Sequence, residues 1–192
     1  MKSFNSLQDE QAWVKSQVRS AQRGNEAAYL ELVDFAQPRL FSFALCLSGH
    51  YEEAGRLLTE TFLEGLRRLS WLTPQSDPFV WFLCFLSQEF EKRSKEESLA
   101  IDARPVIDDP QHQAFFGALQ QLTVRERQVL LMIDSEGLSF EIAAEVLGRS
   151  VREVGYWLEQ SRSQFLSVYQ YKLALFGKKG GVDDDNQTSS KG

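Results

Sequence analysis

The chain has 192 residues, 43% of them hydrophobic, and a formal net charge of −6. That length holds one or two domains with proper cores, and the ordinary apolar fraction excludes wholesale disorder. No run of eighteen apolar residues is present and the stretch from Met1 to Asn5 lacks a hydrophobic signal core, so a cytoplasmic protein without membrane insertion is expected.

In chain order, residues 8–22 place Trp13, Val14 and Val18 or Ala21 on one helical face. Arg23, Gly24 and Asn25 close that helix, and Asn25 caps a second over 26–47. There Tyr29, Leu32, Val33, Ala36, Leu40, Phe43, Ala44 and Leu47 keep helical spacing, with Pro38 expected to kink the run. The turn Ser48, Gly49, His50 leads to a third helix over 51–69, with Ala54, Leu57, Leu58, Phe62, Leu66 and Leu69 inward. Residues 73–78 break the chain before a fourth helix over 79–95. Residues 98–113, with Asp102, Asp108, Asp109, Pro105 and Pro110, have little periodicity and read as a linker. Residues 177–192 have almost nothing to bury and read as a disordered tail.

Between linker and tail, Thr123 and Glu126 form a capping box ahead of an apolar run. Leu138, Ile142 and Val146 then mark one short helix, and Val151, Val154 and Leu158 a second. Gly148 suits the left-handed end of the first, and Ser150 is a good N-cap for the second. This is a helix-turn-helix pattern, whose second helix suits a DNA major groove. No strand-like alternation appears. The expected fold class is all-α: a helical domain over 1–97 and a helix-turn-helix domain (winged-helix-like, four helices) over 114–176, joined by the linker 98–113.

Chemistry is sparse. Cys46 and Cys84 sit in apolar helical patterns and read as buried thiols, and His50 and His112 stand alone, so no metal spacing arises. No nucleophile–base pair or Gly-rich phosphate loop is present, so neither enzymatic activity nor a cofactor is expected. Residues 122–170 hold five arginines against seven carboxylates. Phosphate contacts supply most non-specific DNA affinity, so such a segment needs a larger partner to bring it to DNA.

Residues 119–166 resemble the fourth conserved region of the extracytoplasmic-function (ECF) branch of bacterial sigma-70 factors. Leu122, Arg125, Arg127, Val129, Glu136, Gly137, Leu138, Ser139, Phe140, Ala144, Leu147, Gly148, Ser150, Val151, Val154, Leu158 and Arg162 match without gaps. The first domain is similar to the second conserved region at residues 24–29 and 54–63. Phe79, Trp81 and Leu83 resemble the opening of the family's promoter-contacting segment, one residue short in spacing.

The resemblance implies a sigma factor that directs transcription initiation at a restricted promoter set. Its partners would be the RNA polymerase core, through the clamp coiled coil, promoter DNA and an anti-sigma factor. It places −35 contacts in the major groove on Arg149, Ser150, Arg152, Tyr156 and Arg162, −10 contacts on Trp81, Lys92 and Arg93, and polymerase contacts on Leu57 and Glu60.

The outer faces depart from the family. Arg56 and Thr59 stand where it carries an acid and a glutamine, and Cys84 and Ser87 where it carries two arginines. Gly155, Trp157 and Gln160 replace three cations, and Tyr156 beside Trp157 on an outer face suits a protein interface as well as DNA. Gly155 inside a helix costs about 1 kcal/mol relative to alanine. Phe79, Phe82, Leu83, Leu86 and Phe90 form an apolar stripe that reads as core or as a docking face. The alternative reading is therefore a sigma-shaped interaction protein that binds an anti-sigma factor, polymerase or another regulator without reading DNA.

Overall fold

A computed structural model describes residues 4–96 and 109–179. The linker reading for residues 98–108 and the tail reading from residue 180 onward lie outside the described residues. Among those described there are eight α-helices and no strand.

The first four helices are α1 (Leu7–Gln22), α2 (Glu26–Ser48), α3 (Tyr51–Arg67) and α4 (Pro78–Glu96). Their ends follow local chemistry. The Ser6 hydroxyl accepts from the Asp9 amide at 3.1 Å, and the Asn25 side chain accepts from the Ala28 amide at 3.3 Å. Gly49, at φ +76°, ends α2 in the left-handed conformation. α2 runs on through Pro38 as one helix. α3 stops at Arg67, earlier than its apolar pattern suggests, and a 3₁₀ turn over Leu69–Trp71 follows.

The stripe of Phe79, Phe82, Leu83, Leu86 and Phe90 is the centre of this half, each residue at most 3% exposed. Leu40, Leu47, Leu57 and Ala54 share its cluster from α2 and α3. A smaller cluster of Val14, Val18, Leu32 and Leu72 seats α1.

The second set is α5 (Pro110–Leu119), α6 (Val124–Leu130), α7 (Phe140–Leu147) and α8 (Val151–Lys179). α5 begins inside the stretch expected to be linker. The Asp109 side chain caps it by accepting from the His112 amide, and Pro110 occupies its first turn, where no N–H is needed. α6 carries the Thr123–Glu126 capping box and passes into a π-helical turn over Leu131–Ser135. Ser139 caps α7, Gly148 closes it at φ +59°, and α8 extends to Lys179, beyond the expected boundary at 176.

The two sets pack on each other. One apolar cluster runs through both, joining Leu83 and Leu86 of α4 to Met132, Ala143 and Val154. Polar contacts cross the same junction. Arg39 of α2 meets Glu136 at 3.0 Å, the Gln128 amide donates to the Ser87 carbonyl at 3.1 Å, and the Arg127 guanidinium donates to the Leu47 carbonyl.

Two glycines differ in what the packing asks of them. A Cβ at Gly65 would stand 2.6 Å from the Phe82 ring and 3.0 Å from the Tyr29 hydroxyl, so α3 approaches its neighbours only because no side chain is there. At Gly155 the nearest such atom is the Phe140 ring at 3.8 Å, an ordinary contact. Gly65→Ala is therefore expected to destabilise the protein by about 1–3 kcal/mol through overpacking. Gly155→Ala should stabilise it by about 0.5–1 kcal/mol by removing the helix-interior glycine. Urea denaturation of the two variants checks both signs.

Candidate nucleic-acid interface

The helix-turn-helix pair is α7 and α8. Gly148 supplies the left-handed residue between them, and the Arg149 amide returns to the Ala144 carbonyl at 2.9 Å. Ser150 and Glu153 then form a second capping box. The Ser150 hydroxyl accepts from the Glu153 amide at 3.3 Å, while the Glu153 carboxylate accepts from the Ser150 amide at 2.9 Å. Hydrogen bonds from the Ser150 amide and hydroxyl hold the Glu153 carboxyl below its ordinary range, with Arg149 and Arg125 adding to the effect.

The expected −35 residues divide. Arg149 and Ser150 in the turn and Arg152 and Tyr156 on the first two turns of α8 are all exposed, with Tyr156 at 61%. Arg162 is committed elsewhere: its Nε donates to Asp134 at 2.9 Å, and its second nitrogen binds the other carboxylate oxygen. That fork ties α8 to the turn after α6, which makes Arg162 a positioning residue. Trp157 is not on an outer face. It is half-buried against the core, with the Arg125 guanidinium 5.5 Å from its ring centroid. Arg125 is thus a cation at this surface that the periodicity of α8 did not reveal, because it arrives from α6.

In the first half the −10 and polymerase residues are placed less favourably. Leu57 is fully buried and serves the core, which corrects its assignment as a polymerase contact, while Glu60 is exposed. Trp81 is half-buried, its ring 5.0 Å from both Phe82 and Phe85, so it is a core residue and not an open stacking surface. Arg93 lies between Glu89 and Glu53 at 3.0 Å from each, and Lys92 stands 4.0 Å from Glu89. Arg67 and Arg68 share Glu64 along the end of α3, on the α3 side of the α3–α4 groove. Arg56, the charge-reversed position, pairs along its own helix with Glu52 and Glu53.

Two aromatics of this half are open to solvent, Tyr51 at the start of α3 and Trp71, and of these Trp71 has a guanidinium over its ring. It is 68% exposed, with the Arg68 guanidinium 5.0 Å from its ring centroid. It lies in the 3₁₀ turn, past the end of α3, where helical periodicity carries no signal. Cys46 and Cys84 are free thiols. Burial pushes each up to about 11, helped by Glu136 near Cys46 and by Glu145 near Cys84. No described helix is long and apolar enough to cross a membrane.

Two helical sets, the second with an exposed helix-turn-helix, form an arrangement that transcription proteins use, and the comparisons say what the chain is similar to. The family model for sigma-70, region 4, matches residues 112–165. The chain is 27% identical over 145 residues to the ECF RNA polymerase sigma factor EcfG of Rhodopseudomonas palustris (strain TIE-1), covering 69% of this chain and 80% of that one.

Among solved structures it is similar to the sigma factor RpoE in complex with the anti-sigma factor NepR from Bartonella quintana. The TM-score is 0.61 at 21% identity, over 73% of this chain and 93% of that one. It is also similar to CnrH in complex with the cytosolic domain of CnrY, with a TM-score of 0.65 at 18% identity, over 83% and 98%. The chain is thus similar to ECF-type sigma factors of the sigma-70 family, with residues 112–165 matching region 4.

The capping role of Ser150 separates from any contact with DNA. Ser150→Ala is expected to lower stability by about 1 kcal/mol, measured by thermal or urea unfolding without DNA.

Proposed function

We propose that this ECF-type sigma factor directs polymerase to a small promoter set and reads the −35 element with the first two turns of α8. The observation that carries the reading is the joint exposure of Arg149, Arg152 and Tyr156 at the start of a capped helix-turn-helix. Arginines there reach phosphates or a guanine edge, and the positive end of the helix dipole adds to the attraction. Arg125 joins them from α6.

The acidic balance of the chain makes autonomous binding weak, so polymerase supplies the remaining affinity. The polymerase contact keeps Glu60 and loses Leu57 to the core. Similarity to a sigma factor held by an anti-sigma factor supports such a regulator for this chain as well.

For the −10 element, single-stranded bases need a π-face beside a cation. Trp71 with Arg68 fits that requirement, in place of the half-buried Trp81.

Two measurements test the reading. Arg152→Ala is expected to weaken binding of polymerase holoenzyme to a −35 duplex by about 1–3 kcal/mol if Arg152 meets a base edge. Unchanged promoter occupancy would remove that role. Trp71→Ala is expected to weaken binding of the holoenzyme to a single-stranded −10 oligonucleotide by about 1–3 kcal/mol while leaving duplex −35 binding as it was. Run-off transcription from the protein's own upstream region, with the purified core enzyme, shows whether initiation follows.

A further inference from the structure

Most acids of the second half have a task in the fold. Glu126 and Glu153 close capping boxes, Asp134 pairs with Arg162, and Glu136 pairs with Arg39. Glu141 takes hydrogen bonds at the start of α7, and Glu145 lies near the Cys84 thiol of α4. Glu159 differs from all of these. It is exposed, and no hydrogen bond or ion pair engages it among the described residues.

Its place on α8 gives that carboxylate a direction. Glu159 follows Arg152 by seven residues, close to two turns, and follows Tyr156 by three, so the three share one strip of the helix. Arg152 and Tyr156 are the exposed side chains of the −35 reading. A carboxylate brought between phosphates is opposed by like charge unless a hydrogen-bond donor meets it. In the major groove guanine and thymine present only acceptors. Adenine pairs its amine with the acceptor N7, which repels a carboxylate, whereas cytosine N4 has no acceptor beside it on its own base. Cytosine is the base that a carboxylate suits.

Gly155 makes room for this contact. It precedes Glu159 by one turn, and a helical side chain lies over the turn before its own Cα. The fold does not demand glycine there, since a Cβ would meet only the Phe140 ring at 3.8 Å. Without a side chain at 155 the helix backbone can come closer to the base edges, which the short glutamate needs and a longer cation does not.

We propose that Glu159 sets base specificity: its carboxylate accepts from the exocyclic amine of a cytosine in the major groove. Seven helical residues rise on the order of 10 Å, so that cytosine lies about three base pairs from the base that meets Arg152. The inference rests on the −35 reading of α8 and adds to it the identity of one base.

Selection from a randomised pool tests it. Holoenzyme formed from this chain and purified polymerase core is incubated with duplexes randomised across the −35 region, and the bound duplexes are sequenced. The wild-type protein is expected to enrich cytosine about fivefold or more at one position, about three base pairs from a guanine enriched through Arg152. Glu159→Gln should move the preference at that one position to adenine, because an amide pairs with adenine N6 and N7. Glu159→Ala should level it. Both variants should leave the Arg152 position and the helical circular dichroism spectrum as they were.

An unchanged base preference in the two Glu159 variants overturns the assignment. So does a gain in affinity spread evenly over all sequences, since Glu159 would then act as bulk charge alone. If Arg152→Ala levels its guanine while the Glu159 variants level nothing, this inference fails and the −35 reading stands. If the wild-type protein enriches no base at any position, both fail together.

Discussion

The position of Arg127 is the constraint around which the two halves are arranged. The residue is 4% exposed, and no carboxylate among the described residues pairs with it. It donates instead to oxygens: the Gln120 side chain at 2.7 Å, the Leu122 carbonyl at 3.1 Å, and the Leu47 carbonyl in the last turn of α2. Burial pushes its pKa down to about 10, still far above neutrality, so the group stays charged and its donors stay strong. The carbonyl end of α2 carries the partial negative charge of a helix terminus, which suits a cation approaching it. A planar fork of five donors is the side chain that can gather one loop and one helix end together, which a lysine ammonium does less well. From this centre follow the α5–α6 turn, the approach of Gln120 to Gly49, and the orientation of α6 toward α4.

Most of the helical framework was legible in the chain because it depends on local rules. Asn25, Thr123 and Ser150 accept the amides that N-caps accept, and Gly49 and Gly148 take the left-handed conformation that ends a helix. The α4 stripe lies in the core with almost no exposure, as its spacing implies. The start of α5 was missed because a Pro- and Asp-rich stretch looks like linker, although Asp followed by Pro is also a sound helix opening.

The site was legible only in part, for a different reason. Periodicity says which face of one helix is polar, not what a second helix brings to it. Trp157 looked outward on the pattern of α8 alone, and Arg125 with the core beneath changes that. Arg162 and Arg93 looked free, but their acids come from distant segments, Asp134 and Glu53. Leu57 matched a family position and still lies wholly in the core, since a motif match does not tell an apolar scaffold residue from a surface one. Packing between the halves left no local trace at all, because it depends on partners some forty or more residues apart.

The absence of arginines at Cys84 and Ser87 takes on a different meaning once the halves are seen together. Read along the chain, it weakens the case for single-strand binding by α4. In three dimensions the same exchange removes two charges that packing between the halves would have to strip of water, a penalty of several kcal/mol per ion unless each finds a partner. The cations that remain near α4 are held by neighbouring carboxylates in the α3–α4 groove, so that surface presents little unmatched positive charge. At α8 the order is reversed: Glu153 is engaged as a cap, and Arg149 and Arg152 stay exposed. One half has given up charge where it packs, and the other keeps charge where it is open. This asymmetry reconciles the acidic composition of the chain with the proposed reading of DNA through its second half.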